Sequence, residues 1–276
     1  MPTLYVVATP IGNLEDITLR ALRVLREVAL IAAEDTRTAR KLLARYDIHT
    51  PLTSFFDHSK LQKLDYLLQT LAEKDVALIS EAGMPGLSDP GYELIQAAIA
   101  CGIPVVPIPG PSAITTALAV SGLHSDQFVY LGFLPRRPAE RRRLLTAIAA
   151  EPRTLVAFEA PHRLVNCLSD LAAILGEQRR LAVCRELTKT FEEVRRETVA
   201  EALVHFQTTE PRGEFTLVIA GATAEQPPRL SHGDAVQVRE RVASLVATGL
   251  RRQEAIKQVA RETGLARREV YRLVAQ

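Results

Sequence analysis

Short apolar segments alternate with amphipathic ones in the first part of the chain. Four segments rich in valine and isoleucine are too short for helices and are typical of buried strands in a parallel sheet. These segments are Leu4–Ala8, Leu30–Ala33, Val76–Ser80 and Val105–Ile108. Between them, apolar residues recur at the spacing of one helical face. The alternation predicts right-handed crossovers and a mostly parallel sheet, in an α/β lobe that covers residues 1–112.

A second and less regular pattern covers residues 113–222. Apolar segments again indicate strands, an amphipathic helix from Leu164 to Leu175 separates two of them, and Phe191–Thr198 alternates like an antiparallel strand or hairpin. The four strand segments are Gln127–Leu131, Thr154–Phe158, Leu181–Arg185 and Phe215–Ala220. This region therefore predicts a second α/β lobe, built on a mixed sheet.

The C-terminal region carries no strand pattern. Residues 221–231 include Pro227-Pro228 and indicate a linker, and residues 232–276 indicate a small helical module. Its predicted helices are Ala235–Ala247, Arg252–Glu262 and Arg267–Ala275. The apolar spacing of the last two, with Gly264-Leu265 between them, is typical of a helix-turn-helix.

The loops that follow the strands of the first lobe have unusual compositions. Ligands of open parallel sheets bind beyond the carboxyl ends of the strands, so these loops are the first candidates for a binding site. The loop from Ser80 to Gly91 holds three glycines, two prolines and two acids, which allow a backbone of fixed shape to approach a ligand closely. The other three loops are Thr9–Asn13, Glu34–Arg37 and Pro107–Ala113. Four such loops at neighbouring strand ends predict one shared pocket.

Each loop also has a simpler interpretation. Asp35, Asp89 and Ser112 stand where helix N-caps are expected, and capping alone accounts for such residues. The glycine patterns of dinucleotide-binding and triphosphate-binding loops are both missing from the sequence, although Glu34 follows Gly12 at about the spacing of a ribose-binding acid. A nicotinamide-dependent enzyme therefore stays open as an alternative.

Composition narrows the class of protein without identifying a partner. Hydrophobic residues make up 47% and charged residues 24% of the chain, which favours folded cores over disorder. The net charge of +2 is too small to indicate a nucleic-acid-binding protein, so that argument depends on local clusters. The three cysteines lack zinc-ligand spacing and predict free thiols, and no leader or membrane-spanning segment is recognisable. We expect a cytoplasmic protein without a metal site.

Arginines cluster in two places. Five lie within eight residues, a pattern that suits RNA phosphates but also fits a solvated helix face. They are Arg136, Arg137, Arg141, Arg142 and Arg143. In the C-terminal module, Arg251–Arg272 holds seven Lys or Arg against three Glu, which favours contact with nucleic acid. The candidates there are Arg251, Arg252, Arg267 and Arg268.

Eight short motifs, spread in order over both predicted lobes, carry a family resemblance. They are Thr9–Leu14, Glu34–Arg37, Ser80–Gly91, Pro109–Ser112, Gly132–Pro135, Glu159–Arg163, Arg185–Lys189 and Gly213–Phe215. Together they resemble the tetrapyrrole-methylase-type methyltransferases, and among these the bacterial enzymes that methylate 16S ribosomal RNA. The C-terminal region is similar to theirs as well.

The resemblance implies a two-lobed fold with S-adenosylmethionine between the lobes, and a homodimer. It implies 2′-O-methylation of a cytidine in the decoding region, cytidine 1402 of 16S ribosomal RNA, with that RNA or the small ribosomal subunit as partner. The positions that it assigns to the cofactor are Pro10, Glu81, Ala82, Gly83, Ser112, Ala113, Phe158, Leu187 and Phe215. The chain departs from the family at two of its loop positions, where Glu81 and Met84 stand in place of the usual Asp and Thr.

A ribose 2′-hydroxyl is a poor nucleophile near neutral pH, so such a reaction needs a base or a cation beside it. The candidates are Asp35, Glu34, Glu186 and Lys189, and we expect Asp35 or Lys189 to act on the hydroxyl. Lys189 can be a base only if desolvation lowers its pKa, and Glu186 with Lys189 can equally form a surface ion pair. Two further functions stay open: a methyltransferase of tetrapyrroles, and a non-enzymatic nucleic-acid-binding regulator whose lobes sense a ligand.

Overall fold

A computed structural model describes residues 1–55, 60–222, 232–263 and 267–275 of the 276-residue chain. The chain divides into two compact units, Met1–Ala222 and Thr223–Gln276. The first unit holds two five-stranded sheets, and the second holds three helices. None of the helices described combines the length and apolarity needed to cross a membrane.

The first sheet is entirely parallel, with the strand order β3-β2-β4-β1-β5. Its strands are β1 (Leu4–Val7), β2 (Leu30–Ala33), β3 (Leu52–Ser54), β4 (Val76–Ile79) and β5 (Val105–Ile108). Its helices are α1 (Leu19–Glu27), α2 (Thr36–Arg45), α3 (Lys60–Leu71) and α4 (Tyr92–Ala100). The four strands predicted from the apolar segments are confirmed. Strand β3 escapes prediction because it has only three residues, all half-buried.

Alternate residues of each strand pack on opposite faces of this sheet, so both faces are covered, as a parallel sheet requires. Val7 and Ile31 pack with residues of α1 and α2, whereas Leu4 and Leu30 pack with residues of α3 and α4. Thr18 starts α1, since its side chain accepts a hydrogen bond from the backbone N–H of Ala21. The core therefore fixes the sheet, and the carboxyl ends of its strands all point to one edge.

The second sheet is mixed, with the order β6-β7-β10-β8-β9, in which only β6 and β7 are parallel. Its strands are β6 (Phe128–Phe133), β7 (Thr154–Glu159), β8 (Arg180–Arg185), β9 (Glu193–Thr198) and β10 (Phe215–Ile219). The accompanying helices are α5 (Ala113–Ser121), α6 (Pro138–Ala147), α7 (Leu164–Leu175) and α8 (Val199–Thr208). The predicted mixed sheet is confirmed, and the segment Phe191–Thr198 contributes the strand β9, which pairs antiparallel with the preceding strand β8.

Helix α5 begins directly after the predicted lobe boundary at residue 112 and packs on the second sheet through Ile114, Ala117 and Leu118. The two sheets thus have separate cores within one compact unit, so the division of residues 1–222 into two domains stays a prediction.

The described residues of the C-terminal unit form three short helices, as predicted. They are α9 (His232–Ala247), α10 (Arg252–Thr263) and α11 (Arg267–Ala275). Their small core contains Val238, Val242, Ala255, Ile256, Val259, Ala260 and Val270. Within α11, Val270 is buried and Tyr271 is exposed, and Gly264-Leu265 lies outside the described residues.

Candidate active site

A cavity of about 610 Å³ lies where the carboxyl ends of the first sheet face the second sheet. Residues from all four predicted loops line it, so the expectation of one shared pocket is confirmed. The nine positions that the resemblance assigns to a cofactor all line this cavity as well. These are Pro10, Glu81, Ala82, Gly83, Ser112, Ala113, Phe158, Leu187 and Phe215. That they bind a cofactor stays a prediction.

Backbone hydrogen bonds fix the shape of the first wall. Thr9 and Gly83 exchange two of them, with N···O distances of 2.9 and 3.0 Å, which ties the loop after β1 to the loop after β4. Gly83 has a φ of 79°, in the left-handed region that favours glycine. The hydroxyl of Thr9 also donates to the carbonyl of Ser80 at 3.3 Å. A rigid rim of this kind holds a ligand without first having to be ordered.

Three carboxylates line the same wall: Glu34, Glu81 and Asp89. The backbone N–H of Glu81 donates to Glu34 at 3.2 Å, and the hydroxyl of Thr38 donates to the Glu81 carboxylate at 3.2 Å. Burial, together with the negative charges of Glu34 and Glu81, raises the pKa of Asp89 to about 6. Such a wall favours a ligand that carries positive charge.

Sequence reasoning assigned Asp89 to the N-cap of α4, and this assignment is wrong. The N-cap residue is Gly91, whose φ of 139° few other residues adopt, and no side chain caps the helix. Ser112 does occupy the N-cap of α5, but its hydroxyl makes no capping bond. Both side chains instead line the cavity. The feature of the sequence that could have identified Asp89 as a cavity residue is the presence of two acids in one glycine-rich loop.

The second wall is largely apolar and aromatic. The ring of Phe158 makes edge contacts with Tyr130 and Phe133, at centroid distances of 5.4 and 5.5 Å. Behind it, the buried carboxylate of Glu159 pairs with Arg163 at 3.0 Å. An apolar wall opposite three acids suits a ligand with a flat apolar part and a cationic part.

Cys184 also lines the cavity on the side of the second sheet, and its thiol is buried. Burial raises the pKa of this thiol to about 11, and the charge of Arg196 only partly opposes the effect. The thiol is therefore protonated near neutral pH.

Direct contacts join the two walls. The hydroxyls of Ser88 and Tyr130 are hydrogen-bonded at 2.6 Å, and the backbone N–H of Asn13 donates to the hydroxyl of Thr188 at 3.0 Å. A Cβ atom at Gly12 would lie 2.5 Å from Cγ of Lys189, so only glycine permits this approach. The cavity is thus held between two walls whose separation is fixed.

The structure contradicts the predicted role of Asp35 as a base. Its side chain caps α2 by accepting the backbone N–H of Arg37 at 2.7 Å, and it pairs with the Arg37 guanidinium at 2.9 Å. The hydrogen bonds of Arg37 lower the pKa of Asp35 to about 2, which makes it a very weak base. Asp35 is also outside the set of residues that line the cavity. The capping interpretation of Asp35 is the correct one.

Lys189 lines the cavity but does not meet the condition for a base. Burial lowers its pKa, yet hydrogen bonds and ion pairs with Glu186 and Glu214, at 2.9 and 3.1 Å, outweigh this and raise it above the ordinary value. Lys189 is therefore a fixed cation, and the expected ion pair with Glu186 is confirmed. Glu186 is occupied further by the backbone N–H of Glu214, at 2.9 Å.

The arginine cluster does not act as one surface. Arg141 is buried and pairs with the buried Asp170 at 2.6 Å, so its predicted contact with RNA is wrong. Arg142 pairs with the same carboxylate at 2.7 Å but stays exposed. Arg136, Arg137 and Arg143 are exposed, and so are the four arginines of the C-terminal unit, Arg251, Arg252, Arg267 and Arg268, so their contact with RNA stays a prediction.

Sequence reasoning missed a third group of cations, on α2. This helix carries Arg37, Arg40, Lys41 and Arg45 and no acid, and Lys41 lines the cavity. Among the residues that the structure describes, no three His, Cys, Asp or Glu side chains are grouped in a way that could hold a metal ion.

Comparison with known proteins places this geometry in a family. The family model of the tetrapyrrole (corrin/porphyrin) methylases matches residues 3–203. Three solved structures share the fold, although sequence identities below 25% show the fold alone. They are uroporphyrin-III-C-methyltransferase from Thermus thermophilus (TM-score 0.57, 23% identity, 80% of this chain and 94% of that one), diphthine synthase (0.62, 15%, 80% and 90%) and cobalt precorrin-4 methyltransferase (0.63, 18%, 79% and 94%).

Curated relatives cover more of the sequence. Proteins named ribosomal RNA small subunit methyltransferase I are 48% identical in Synechocystis sp. (99% of this chain, 97% of that protein) and 44% identical in Pseudomonas aeruginosa (99% and 97%). The one from Thermotoga maritima is 48% identical over 222 residues, which are 80% of this chain and 99% of that protein. The chain therefore belongs to the tetrapyrrole (corrin/porphyrin) methylase family, within the group whose curated members are named ribosomal RNA small subunit methyltransferase I.

Proposed function

We propose that this chain is an S-adenosylmethionine-dependent methyltransferase that methylates the ribose 2′-hydroxyl of a cytidine in the decoding region of 16S ribosomal RNA. The observation that carries the proposal is the cavity itself, with three carboxylates on one wall and an aromatic wall opposite, in a chain whose curated relatives carry that name. We also propose that the protein acts in the cytoplasm, where this substrate is located, and that it forms a homodimer.

The residues of the cavity fit S-adenosylmethionine. The cavity volume of about 610 Å³ lies within the range of pockets that enclose small organic ligands. Glu34, Glu81 and Asp89 complement a cationic sulfonium and ammonium, and Phe158 and Leu187 offer apolar contacts for an adenine. When bound, S-adenosylmethionine supplies a methyl group activated by the positive charge on sulfur. The longer side chain of Glu81, in place of the family's usual Asp, keeps the acid at this position.

Asp89 takes the place of Asp35 as the candidate proton acceptor. It lines the cavity and is half-buried, and its pKa of about 6 leaves it ionised but basic near neutral pH, as a general base requires. Lys189 lies on the opposite wall as a fixed cation, where it favours a hydroxyl that is losing its proton. In this mechanism Asp89 would accept the hydroxyl proton, and the rigid walls would orient the hydroxyl toward the bound cofactor.

Exposed cations on both lobes support RNA as the substrate. Helix α2 contributes Arg40 and Lys41 from the first lobe, and Arg136 and Arg143 lie on the second. Within the described part of the chain, none of these four forms an ion pair, so each is available to a phosphate. The C-terminal unit adds a further basic surface.

The test is methyl transfer from radiolabelled S-adenosylmethionine to small ribosomal subunits or 16S ribosomal RNA that lacks the modification. We expect label in the RNA, and primer extension at limiting nucleotide concentration should stop at the decoding-region cytidine. Label in the base rather than the ribose, after nuclease digestion, would refute the 2′-O assignment. Sedimentation of the purified protein decides between monomer and homodimer.

Two alternatives predict different results in the same assay. A tetrapyrrole methyltransferase, which the family model and the fold allow, would label a porphyrinogen and leave RNA unlabelled. A non-enzymatic regulator would bind RNA and S-adenosylmethionine without transferring label to either substrate.

A further inference from the structure

Among the residues described, Phe133 is the most exposed aromatic side chain that lines the cavity. It lines the cavity, yet 57% of its surface is exposed to solvent. The neighbouring rings differ from it, because Phe158 and Tyr130 are half-buried. The exposed side of the Phe133 ring is therefore open to a second molecule that reaches the cavity from solvent.

A β-bulge aims Phe133 at the cavity. Strand β6 pairs with β7 at Tyr130 and Val156 and again at Phe133 and Phe158, so three steps on β6 match two on β7. Gly132 has a φ of 65° at this point. In a regular strand, Phe133 would lie on the face opposite Tyr130, whereas here both rings contact Phe158. The bulge thus places the Phe133 ring on the same face of β6 as Tyr130, against Phe158, which also lines the cavity.

Two further contacts hold this segment in place. Arg163 donates to the carbonyl of Leu134, the residue that follows Phe133, and the same guanidinium is fixed by the buried Glu159. The edge contact with Phe158 orients the ring itself. A preorganised aromatic ring loses little conformational entropy when a flat partner stacks on it.

Two exposed cations accompany Phe133, one close to it in sequence and one on the lining of the same cavity. Arg136 follows Phe133 by three residues, and Lys41 lines the cavity from the first lobe. Both are exposed, and the structure gives neither an ion pair with any residue it describes. An open aromatic ring with cations beside it is the arrangement with which proteins bind single-stranded nucleic acid, where bases stack on rings and phosphates meet cations.

We propose that Phe133 is a substrate-positioning residue, whose exposed ring stacks on an unpaired nucleobase at or next to the methylated nucleotide. Arg136 and Lys41 contact phosphates of the same RNA. The proposal rests on the proposed function to the extent that the substrate is RNA. It assigns to Phe133 the recognition of an unpaired region, since a base within a duplex cannot offer its face to the ring.

The test compares Phe133→Ala and Phe133→Trp with the matched change Phe128→Ala. Phe128 is also exposed, at 40%, but lies at the other end of β6 and does not line the cavity. We expect Phe133→Ala to raise the KM for RNA about 5- to 100-fold, the effect of losing one stacked base, while the calorimetric Kd for S-adenosylmethionine is unchanged. Phe133→Trp should restore the KM, and Phe128→Ala should behave like the unmodified protein.

The chain contains no tryptophan, so Phe133→Trp also creates a single fluorescent reporter. RNA should quench it, and Phe128→Trp should stay unquenched. A wild-type KM in Phe133→Ala, or an unquenched Trp at saturating RNA, overturns the proposal. Weaker S-adenosylmethionine binding with an unchanged KM for RNA would show a cofactor wall instead. Quenching by RNA that never becomes methylated would leave the stacking in place and refute only the proposed reaction.

Discussion

Replacing Asp89 with Asn removes the proposed proton acceptor and leaves the side chain nearly the same shape. In the free protein, burial and the charges of Glu34 and Glu81 raise the pKa of Asp89 to about 6. The carboxylate is the active form, so kcat/KM should fall below about pH 6, roughly tenfold for each pH unit. A bound cationic cofactor favours the carboxylate and lowers this pKa, so the acid limb in kcat should lie at a lower pH than the limb in kcat/KM.

Single-turnover methyl transfer between about pH 4 and pH 8 measures this effect, with S-adenosylmethionine subsaturating for the limb in kcat/KM and with both substrates saturating for the limb in kcat. Asp89→Asn should lower the rate by about 10²- to 10⁴-fold, the usual contribution of a general base, and abolish the acid limb. Asp35→Asn is the control, because the hydrogen bonds of Arg37 already lower the pKa of Asp35 to about 2, and the limb near pH 6 should persist. The reasoning is refuted if Asp89→Asn keeps its acid limb, or if it weakens cofactor binding while kcat stays unchanged.

Three other changes test the remaining structural assignments. Arg141→Ala leaves the buried carboxylate of Asp170 without its main partner and should lower the free energy of unfolding in urea by about 3–5 kcal/mol. The control Arg143→Ala removes an exposed side chain and should leave stability unchanged while weakening RNA binding. Equal stability of the two variants would contradict the buried ion pair. Gly12→Ala places a Cβ 2.5 Å from Cγ of Lys189 on the opposite wall and should weaken S-adenosylmethionine binding at least about tenfold by calorimetry. The control is Gly102→Ala, which should leave binding unchanged because the added Cβ has no heavy atom within 4 Å. Deletion of residues 223–276 should weaken RNA binding and flatten its salt dependence without affecting cofactor affinity; an unchanged salt slope would show that the C-terminal unit does not contact phosphate.

Secondary structure and the pocket loops followed from sequence because their causes are local. Short apolar strands, amphipathic helices and glycine-proline loops are set by periodicity and backbone freedom, so β1, β2, β4 and β5 and the cavity at their ends could be predicted. The family motifs then placed Phe158, Leu187 and Phe215 at the same cavity, from a part of the chain where periodicity alone gave no site.

The roles of charged side chains did not follow from sequence, because they depend on partners distant along the chain. Arg141 and Arg143 are two residues apart and look equivalent, yet only the first meets Asp170 in the core of the second lobe. Likewise, Asp35 and Asp89 both precede helices, but only the first caps one. The role of Phe133 did not follow from its motif, Gly132–Pro135, because the direction of its side chain depends on the extra residue in β6, which the pattern of apolar positions does not reveal.

For the proposed methyltransferase, the burial of Cys184 has a protective consequence. A thiolate is among the strongest nucleophiles in proteins, and one in the wall of this cavity would compete with the intended acceptor for the methyl group. With a pKa of about 11, only roughly one in 10⁴ of these sulfur atoms is ionised at neutral pH. Burial of the Cys184 thiol therefore protects the proposed enzyme from methylating its own cavity.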